Sequence, residues 1–421
     1  MDTIFAQATA RGKSGVAVVR VSGPDAVAGV GTLCALPEAR RAALRKIYDG
    51  NGGILDEGLV LVFPEGSSFT GEPVVELQLH GSIAIVQAVL RALDRIPAFR
   101  PADAGEFTRR ALGNQRLDLV QVEGLADLIE AETEAQRLQA QAVLAGALSE
   151  KVGEWRNNLI EASALLEVTL DFADEEVPVD VKPEVAARIR AVKTSLESEI
   201  AGFAAAERVR DGFEVAIMGP PNAGKSTLLN AIAKRPVALT SEIAGTTRDV
   251  LEVRIDLDGL PVTLLDTAGI RETQDVLESA GIELARSRAR QADLRVWLDL
   301  DGASPPDDVD IVLRAQDDKG SLGGISGKTG HGVSALLDQI GSVLAERVPQ
   351  SRLAIRERHR SAMTRAARLL QIASDGLEHG LVPELVAEQL RDASSCLAEI
   401  VGGIDVEDLL GEIFGRFCIG K

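Results

Sequence analysis

The chain has 421 residues and a formal net charge of −19, and 45% of its residues are hydrophobic while only 3% are aromatic. This length predicts about two to four globular domains. The shortage of aromatic residues argues against a sheet that stacks RNA bases, and the acidic balance argues against a broad basic face for nucleic acid.

The cysteines and the hydropathy of the chain exclude several further classes of protein. Cys34, Cys396 and Cys418 are too few and too scattered to predict a disulfide framework or a zinc site. The N-terminal sequence has no basic segment followed by an apolar core, and no apolar run approaches the roughly 18 residues that cross a bilayer. We therefore expect a cytoplasmic protein without a signal peptide.

Residues 1–117 are predicted to form an α+β domain. Segments 15–21, 58–63 and 74–79 are rich in Val and Leu, which is typical of strands. Residues 82–95 then repeat apolar side chains at the spacing of an amphipathic helix.

From residue 118 the strand signals vanish and apolar residues recur at helical spacing, with breaks at Pro178 and Pro183. The same character returns near the C-terminus. These segments predict one helical bundle domain in two parts, 118–210 and 351–421, with a separate domain inserted between them at 211–350.

The inserted segment alternates strands and helices, as a parallel α/β sheet does. The predicted strands are 251–257 and 261–265, which flank the hairpin signal Asp258-Gly259, followed by 294–299 and 309–313. The stretch from Gly302 to Val309, where the last strand begins, is very short, whereas a parallel crossover needs about a dozen residues or more. We therefore expect the usual crossover helix to be trimmed or absent.

One motif in this segment predicts a phosphate site. Gly219-Pro-Pro-Asn-Ala-Gly-Lys-Ser-Thr227 fits the pattern G-x-x-x-x-G-K-S/T and lies between a strand-like segment and a helix. Its glycines let backbone N–H groups point at a phosphate, Lys225 can reach the β- and γ-phosphates, and the Ser226 hydroxyl can bind Mg²⁺. The alternative is a glycine-rich turn that binds no ligand.

Three shorter stretches support the nucleotide interpretation. Asp266-Thr-Ala-Gly269 ends a strand, where an Asp can hold Mg²⁺ and a glycine N–H can approach a γ-phosphate. Gly245-Thr-Thr-Arg-Asp249 lies where a switch loop belongs. Ile325-Ser-Gly-Lys328 lies where guanine-nucleotide proteins place a backbone amide against the base.

Together these motifs resemble the tRNA-modification GTPases called MnmE or TrmE, and the resemblance covers the whole chain. Further stretches that carry it are Asp2-Thr-Ile-Phe-Ala-Gln-Ala-Thr9, Val19-Arg-Val-Ser-Gly-Pro24, Phe69-Thr-Gly-Glu72, Glu76-Leu-Gln-Leu-His-Gly81, Gly105-Glu-Phe-Thr108 and the C-terminal Cys418-Ile-Gly-Lys421.

The resemblance implies a three-part architecture: an N-terminal α+β domain that binds folate and dimerises, a split helical bundle, and an inserted P-loop GTPase domain of Ras-like α/β fold. It implies a homodimer that works with a flavin-dependent partner of the MnmG or GidA type in a heterotetramer, with tRNA bound mostly through the partner. Together the two proteins install a (carboxymethyl)aminomethyl group on C5 of the wobble uridine. The one-carbon source would be 5-formyl- or 5,10-methylene-tetrahydrofolate, and GTP hydrolysis would need Mg²⁺ and K⁺.

The resemblance also implies site residues. GTP would be bound by Asn222, Ala223, Gly224, Lys225, Ser226, Thr227, Ser241, Glu242, Ile243, Ala244, Gly245, Thr246, Thr247, Asp266, Thr267, Ala268, Gly269 and Asp318. Within this set, Mg²⁺ would be bound by Ser226 and Thr247, and K⁺ by Asn222, Ser241, Ile243 and Thr246. Glu278 would orient the attacking water, although a solvated helix charge is the alternative, and folate would be bound by Arg20, Glu76, Arg116 and Lys421.

The chain departs from the family pattern at the base-reading motif. The usual Asn-Lys-x-Asp is Ala315-Gln-Asp-Asp318 here, so only the last Asp remains. Two other functions stay open: a regulatory GTPase switch of the ribosome-assembly type without folate chemistry, and a slow GTPase that only scaffolds its flavin-dependent partner.

Overall fold

Two β-sheets and a set of long helices make up the described part of the chain. The computed structural model describes residues 2–171, 180–239, 252–266, 288–300, 302, 304–306, 308–320, 323–347, 353, 355–402 and 420. Residues 1–126 and 401–421 group into one compact unit, and residues 127–400 into a second. No helix among the described residues is long and apolar enough to cross a membrane.

A six-stranded sheet forms the first unit. Its strands are β1 (Thr3–Gln7), β2 (Val16–Ser22), β3 (Ala43–Tyr48), β4 (Ile54–Phe63), β5 (Val74–His80) and β6 (Phe99–Pro101), in the spatial order β3-β4-β5-β2-β1-β6. Its helices are α1 (Ala26–Val30), α2 (Ile83–Asp94) and α3 (Glu106–Gly113). The three predicted strands and the predicted helix are confirmed, and β1, β3, β6, α1 and α3 are additional.

Because side chains alternate along each strand, this sheet has one apolar face and one face that carries both polar and apolar side chains, called here the mixed face. Val19, Val21 and Leu77 belong to a buried apolar core that also includes side chains of α2. Because successive side chains point to opposite faces, Arg20 and Glu76 lie on the other side of the same two strands. The mixed face is therefore available for polar chemistry.

A network of charged side chains ties three distant parts of the first unit together. Arg110 donates to Asp2 Oδ1 at 2.9 Å, to Glu106 Oε1 at 2.9 Å and to Glu72 at 3.1 Å. Arg100 also pairs with Asp2 and Glu106. Burial raises the pKa of Glu106, but hydrogen bonds from Arg100, from the Asp103 N–H and from Arg110 outweigh burial and lower that pKa to about 2. The carboxylate therefore stays charged, and the network fixes the start of α3 against β6.

Long helices form the bundle of the second unit. The helices along the chain are α4 (Leu119–Glu130), which crosses the boundary between the units, then α5 (Glu134–Leu144), α6 (Ala147–Asp171) and α7 (Lys182–Asp211) before the inserted segment. Pro183 lies in the first turn of α7, where its missing N–H needs no helical partner. The second predicted part of the helical domain contributes α10 (Glu357–Glu378) and α11 (Pro383–Val401).

The inserted segment folds around a five-stranded sheet. Its strands are β7 (Phe213–Met218), β8 (Glu252–Leu257), β9 (Leu260–Asp266), β10 (Leu294–Asp299) and β11 (Ile311–Arg314), in the spatial order β11-β10-β7-β9-β8. Only β8 is antiparallel to its neighbour. Helices α8 (Lys225–Ala233) and α9 (Val333–Glu346) contribute to the core of this sheet. The predicted hairpin is confirmed, since Asp258 and Gly259 both have positive φ, at 51° and 88°.

The connection between β10 and β11 differs from an ordinary parallel crossover. The two strands pair directly and in parallel, from Val296↔Ile311 to Asp299↔Arg314. None of the described residues between them (300, 302, 304–306 and 308–310) is helical. Val312 on β11 is consequently 53% exposed. For these residues the predicted loss of the crossover helix is confirmed.

Candidate functional site

The phosphate loop lies at the carboxyl end of β7, between two parallel neighbouring strands. A Cβ on Gly219 would lie 2.6 Å from the carbonyl oxygen of Leu298 on β10, so no side chain fits there. Gly219 has φ of 148° and Gly224 has φ of 94°, both in the region that favours glycine. The loop therefore turns tightly and enters α8 with its first N–H groups free of helical partners, which is the geometry that binds phosphate.

Lys225 begins α8 and folds back over the loop. Its Nζ donates to the carbonyl oxygens of Gly219 at 2.8 Å and Pro220 at 2.9 Å. Burial lowers the pKa of Lys225, and the nearby carboxylate of Asp266 partly offsets that effect. The ammonium group is thus held at the loop, where it can exchange carbonyl oxygens for phosphate oxygens.

The first hydroxyl of α8 contacts the last carboxylate of β9. Ser226 Oγ donates to Asp266 Oδ2 at 2.6 Å, and the Asp266 residue is only 2% exposed. A hydroxyl and a carboxylate are the hard oxygen ligands that Mg²⁺ prefers. These two residues therefore have the chemistry that would suit Mg²⁺ at this end of the phosphate loop.

The base-reading segment follows β11 and is closed by buried hydrogen bonds. Ala315 N–H donates to the carbonyl oxygen of Asp299 at 2.7 Å. Asp317, which is 2% exposed, accepts from the Gly324 N–H at 3.0 Å. Sequence patterns alone did not indicate Asp317, because nothing marks a buried loop-closing Asp beside the base-reading one.

Asp318 is held in place by residues of the Ile325-Ser-Gly-Lys328 stretch. Ser326 Oγ donates to Asp318 Oδ1 at 2.6 Å, and Lys328 Nζ lies 3.9 Å from Asp318 Oδ2. Gly327 packs on the phosphate-loop helix, since a Cβ there would lie 2.5 Å from the Leu228 nitrogen. The stretch that holds Asp318 therefore also packs on the helix that follows the phosphate loop.

Of the predicted GTP ligands, the structure brings together the phosphate-loop residues, Asp266 and Asp318. The remaining predicted residues lie outside the described residues: Ser241, Glu242, Ile243, Ala244, Gly245, Thr246, Thr247, Thr267, Ala268, Gly269 and Glu278. Their roles stay predictions. Cys418 and Lys421 also lie outside the described part.

A second polar site lies on the mixed face of the six-stranded sheet. Arg20 and Glu76 occupy directly opposite positions on β2 and β5, and Arg20 donates to Glu76 Oε1 from Nε at 2.9 Å and from Nη2 at 2.8 Å. The guanidinium carbon lies 5.8 Å from the ring centres of both Phe69 and Phe107. The two aromatic rings fix the guanidinium by cation–π contact. Sequence reasoning did not assign them this role, although both occur in the quoted motifs.

Other predicted folate residues lie near this pair. A Cβ on Gly71, two residues after Phe69, would lie 3.2 Å from Arg116 Cγ, so the stem of Arg116 covers the same loop. Gly420 packs against the end of β1, where a Cβ would lie 2.2 Å from the Gln7 carbonyl oxygen. Gln7 follows Ala6, which is the residue opposite Arg20. Gly420 therefore lies beside β1, the strand that pairs with the Arg20 strand.

Comparison of the sequence with known proteins identifies the family of this chain. Residues 119–418 match the family described as "MnmE helical domain", and residues 3–116 match "GTP-binding protein TrmE N-terminus". The chain belongs to the MnmE family. It is 55% identical over 430 aligned residues to the tRNA modification GTPase MnmE of Cereibacter sphaeroides, and 56% identical over 429 to that of Ruegeria pomeroyi, with 100% of both chains covered each time. These MnmE relatives are therefore of nearly the same length, and the short inserted domain fits that length.

The altered base-reading motif of this MnmE family member generates a prediction about nucleotide choice. Guanine presents two donors, N1–H and the 2-amino group, to a carboxylate that can accept both. We expect Asp318→Asn to weaken GTP binding on the order of tenfold or more and to shift the preference toward xanthosine triphosphate, whose 2-oxo group needs a donor. Competition of each nucleotide against a fluorescent guanine nucleotide measures both effects.

The unmodified chain sets the reference for that experiment. Since Ala315 offers no side-chain donor, we expect GTP affinity in the micromolar range or weaker, with inosine triphosphate poorer than GTP and ATP poorer still. Lys319→Ala, at an exposed neighbouring position, should change nothing. ATP competing as well as GTP against the unmodified chain would show that residues 315–318 do not read the base.

Proposed function

We propose that this chain hydrolyses GTP as part of the modification of C5 of the wobble uridine in certain tRNAs. The observation that carries the proposal is the Ser226–Asp266 contact beneath a complete phosphate loop. It occurs in a chain that matches curated tRNA modification GTPases along its whole length. The product would be a (carboxymethyl)aminomethyl group, added together with a flavin-dependent partner. The homodimer, the heterotetramer with that partner and the cytoplasmic location remain predictions.

GTP hydrolysis would use residues from the phosphate loop and from segments outside the described residues. Ser226 and Thr247 would hold Mg²⁺, which neutralises charge on the β- and γ-phosphates when bound. Lys225 would exchange its two carbonyl partners for phosphate oxygens. Glu278 would orient the attacking water, as a group that acts mainly in the transition state.

A potassium site is the second part of the proposal. Asn222, Ser241, Ile243 and Thr246 would hold K⁺ beside the phosphates. Asn222 has a positive φ of 65° at the outer turn of the loop, and it offers an amide oxygen there rather than a cationic group. A bound monovalent cation can do the electrostatic work that an arginine finger does elsewhere.

The mixed face of the six-stranded sheet supports a folate site. Arg20 lies beside the rings of Phe69 and Phe107 and pairs with the carboxylate of Glu76, and the stem of Arg116 packs near Gly71 in the same loop as Phe69. This set suits a ligand that carries carboxylates, ring N–H donors and a flat heterocycle, as a tetrahydrofolate does. Lys421 would add a third cation from the C-terminal tail.

The potassium proposal predicts a salt-specific rate. GTP turnover in potassium should exceed turnover in sodium on the order of tenfold or more, and Asn222→Ala should abolish that difference because the amide ligand is lost. Initial rates at equal ionic strength measure it. Asn230→Ala, an exposed position on α8, is the matched control and should keep the potassium response. Equal rates in both salts for the unmodified chain would contradict the proposal.

The folate proposal separates the tRNA-modifying function from a purely regulatory GTPase. We expect stoichiometric binding of 5-formyl-tetrahydrofolate, measured by calorimetry, and a loss of about tenfold or more in affinity with Arg20→Ala, since a charge-assisted contact disappears. Arg41→Ala, at an exposed arginine of the same unit, should bind normally.

Because Arg20→Ala leaves Glu76 unpaired, Glu76→Gln serves as a second variant that keeps the shape of the site. The melting temperature of each variant shows whether the unit still folds. A folded, GTP-hydrolysing chain that binds no folate at all would favour the regulatory GTPase.

A further inference from the structure

One side chain joins the base-reading segment to the phosphate loop. Gln316 Nε2 donates to the carbonyl oxygen of Asn222 at 2.6 Å, across a sequence separation of 94 residues. Gly327 also packs closely on the start of α8, where an added Cβ would lie 2.5 Å from the Leu228 nitrogen. Gln316 therefore joins the two loops by a side-chain hydrogen bond.

Both partners of this hydrogen bond have unusual backbone conformations. Gln316 has φ of 57° and Asn222 has φ of 65°, and neither is a glycine. Residues other than glycine adopt this region uncommonly, and Asn does so more readily than Gln. The hydrogen bond therefore links two left-handed turns, of which the one at Gln316 is the less common for its residue type.

The backbone on both sides of Gln316 is fixed. Ala315, immediately before it, donates to the Asp299 carbonyl oxygen, and Asp317, immediately after it, is buried and bonded to Gly324. Asp318 is held by Ser326. The Gln316 side chain therefore extends from a rigid base, and its amide can determine where Asn222 lies.

We propose that Gln316 is a positioning residue that fixes the phosphate loop at Asn222, so that this loop is held in its phosphate-binding shape from the base-reading side. The inference rests on the proposed nucleotide function but assigns a residue that the function does not require. A residue that only covered the base would affect guanine binding alone. A residue that positions the phosphate loop also affects ligands that have no base.

Inorganic tripolyphosphate is the probe that separates these two roles. The experiment compares the GTP dissociation constant and the inhibition of GTP hydrolysis by magnesium tripolyphosphate in four full-length chains: unmodified, Gln316→Met, Gln316→Lys and Asp318→Ala. Methionine keeps the length of the side chain and removes the donor, whereas lysine keeps a donor. Asp318→Ala removes a contact to the base without touching the phosphate loop.

Gln316→Met should weaken both GTP and tripolyphosphate by a similar factor of about three- to tenfold, the range for loss of one neutral hydrogen bond. Gln316→Lys should stay within about twofold of the unmodified chain for both ligands. Asp318→Ala should weaken GTP alone. The melting temperatures of the four chains should agree, since the Gln316 bond is exposed to solvent.

Two results would overturn the inference. In one, Gln316→Met weakens GTP but not tripolyphosphate, as Asp318→Ala does; in the other, it changes neither ligand. Steady-state kinetics of Gln316→Met give a second test. If Gln316 positions the phosphate loop, the variant has a lower kcat at saturating GTP; if Gln316 only covers the base, the variant has a higher KM and an unchanged kcat. If the unmodified chain bound no GTP, the proposed nucleotide function would fail instead, and the two failures are therefore distinguishable.

Discussion

The close approach of Gly219 to the carbonyl oxygen of Leu298 is the constraint on which the nucleotide site depends. Because β7 lies between β9 and β10, the chain that leaves it has no room for a side chain at its first turn. The loop must turn sharply there, and this turn delivers Lys225 and Ser226 to the start of α8. Asp266 arrives at the same edge because β9 runs parallel to β7. The parallel sheet thus brings the predicted phosphate and metal ligands from separate strands to its carboxyl edge.

The segment 315–318, which follows β11 at the same sheet edge, is ordered although it lacks part of the usual base-reading motif. The segment after β11 lacks the usual Asn and Lys, and the connection before it lacks a described helix. Buried Asp317 closes the segment, and Ser326 holds Asp318 in place. The order of the segment therefore comes from its own loop contacts and from Gln316, rather than from a full set of base contacts.

The polar site of the first unit lies on a face of its sheet, and not at the carboxyl edge of parallel strands. Its charged pair, Arg20 and Glu76, comes from strand alternation, which places polar residues opposite an apolar core. The network around Arg110 and Glu106 then fixes α3, whose Phe107 packs against Arg20. The motifs Phe69-Thr-Gly-Glu72 and Gly105-Glu-Phe-Thr108 thus supply the two rings beside the Arg20 guanidinium and two carboxylates of the Arg110 network.

Local signals predicted much of this structure, and long-range contacts could not be predicted. The sequence indicated the glycine loop, the Asp258-Gly259 hairpin and the helices because each depends on residues that are close together in the chain. Strand β3 was missed because only Ile47 in it is buried, which leaves no apolar alternation to detect. The Gln316–Asn222 bond joins residues far apart in sequence, and no local pattern encodes it.

The account's central claim is that GTP hydrolysis at the phosphate loop serves the modification of tRNA. Mass spectrometry of tRNA nucleosides tests it most directly, in a bacterial strain that lacks its own modifying GTPase and expresses this chain. The account predicts that C5-aminomethyl-type wobble uridines return with the unmodified chain and stay absent with Lys225→Ala at equal expression. Unmodified wobble uridine in both strains, or restored modification in both, would contradict it.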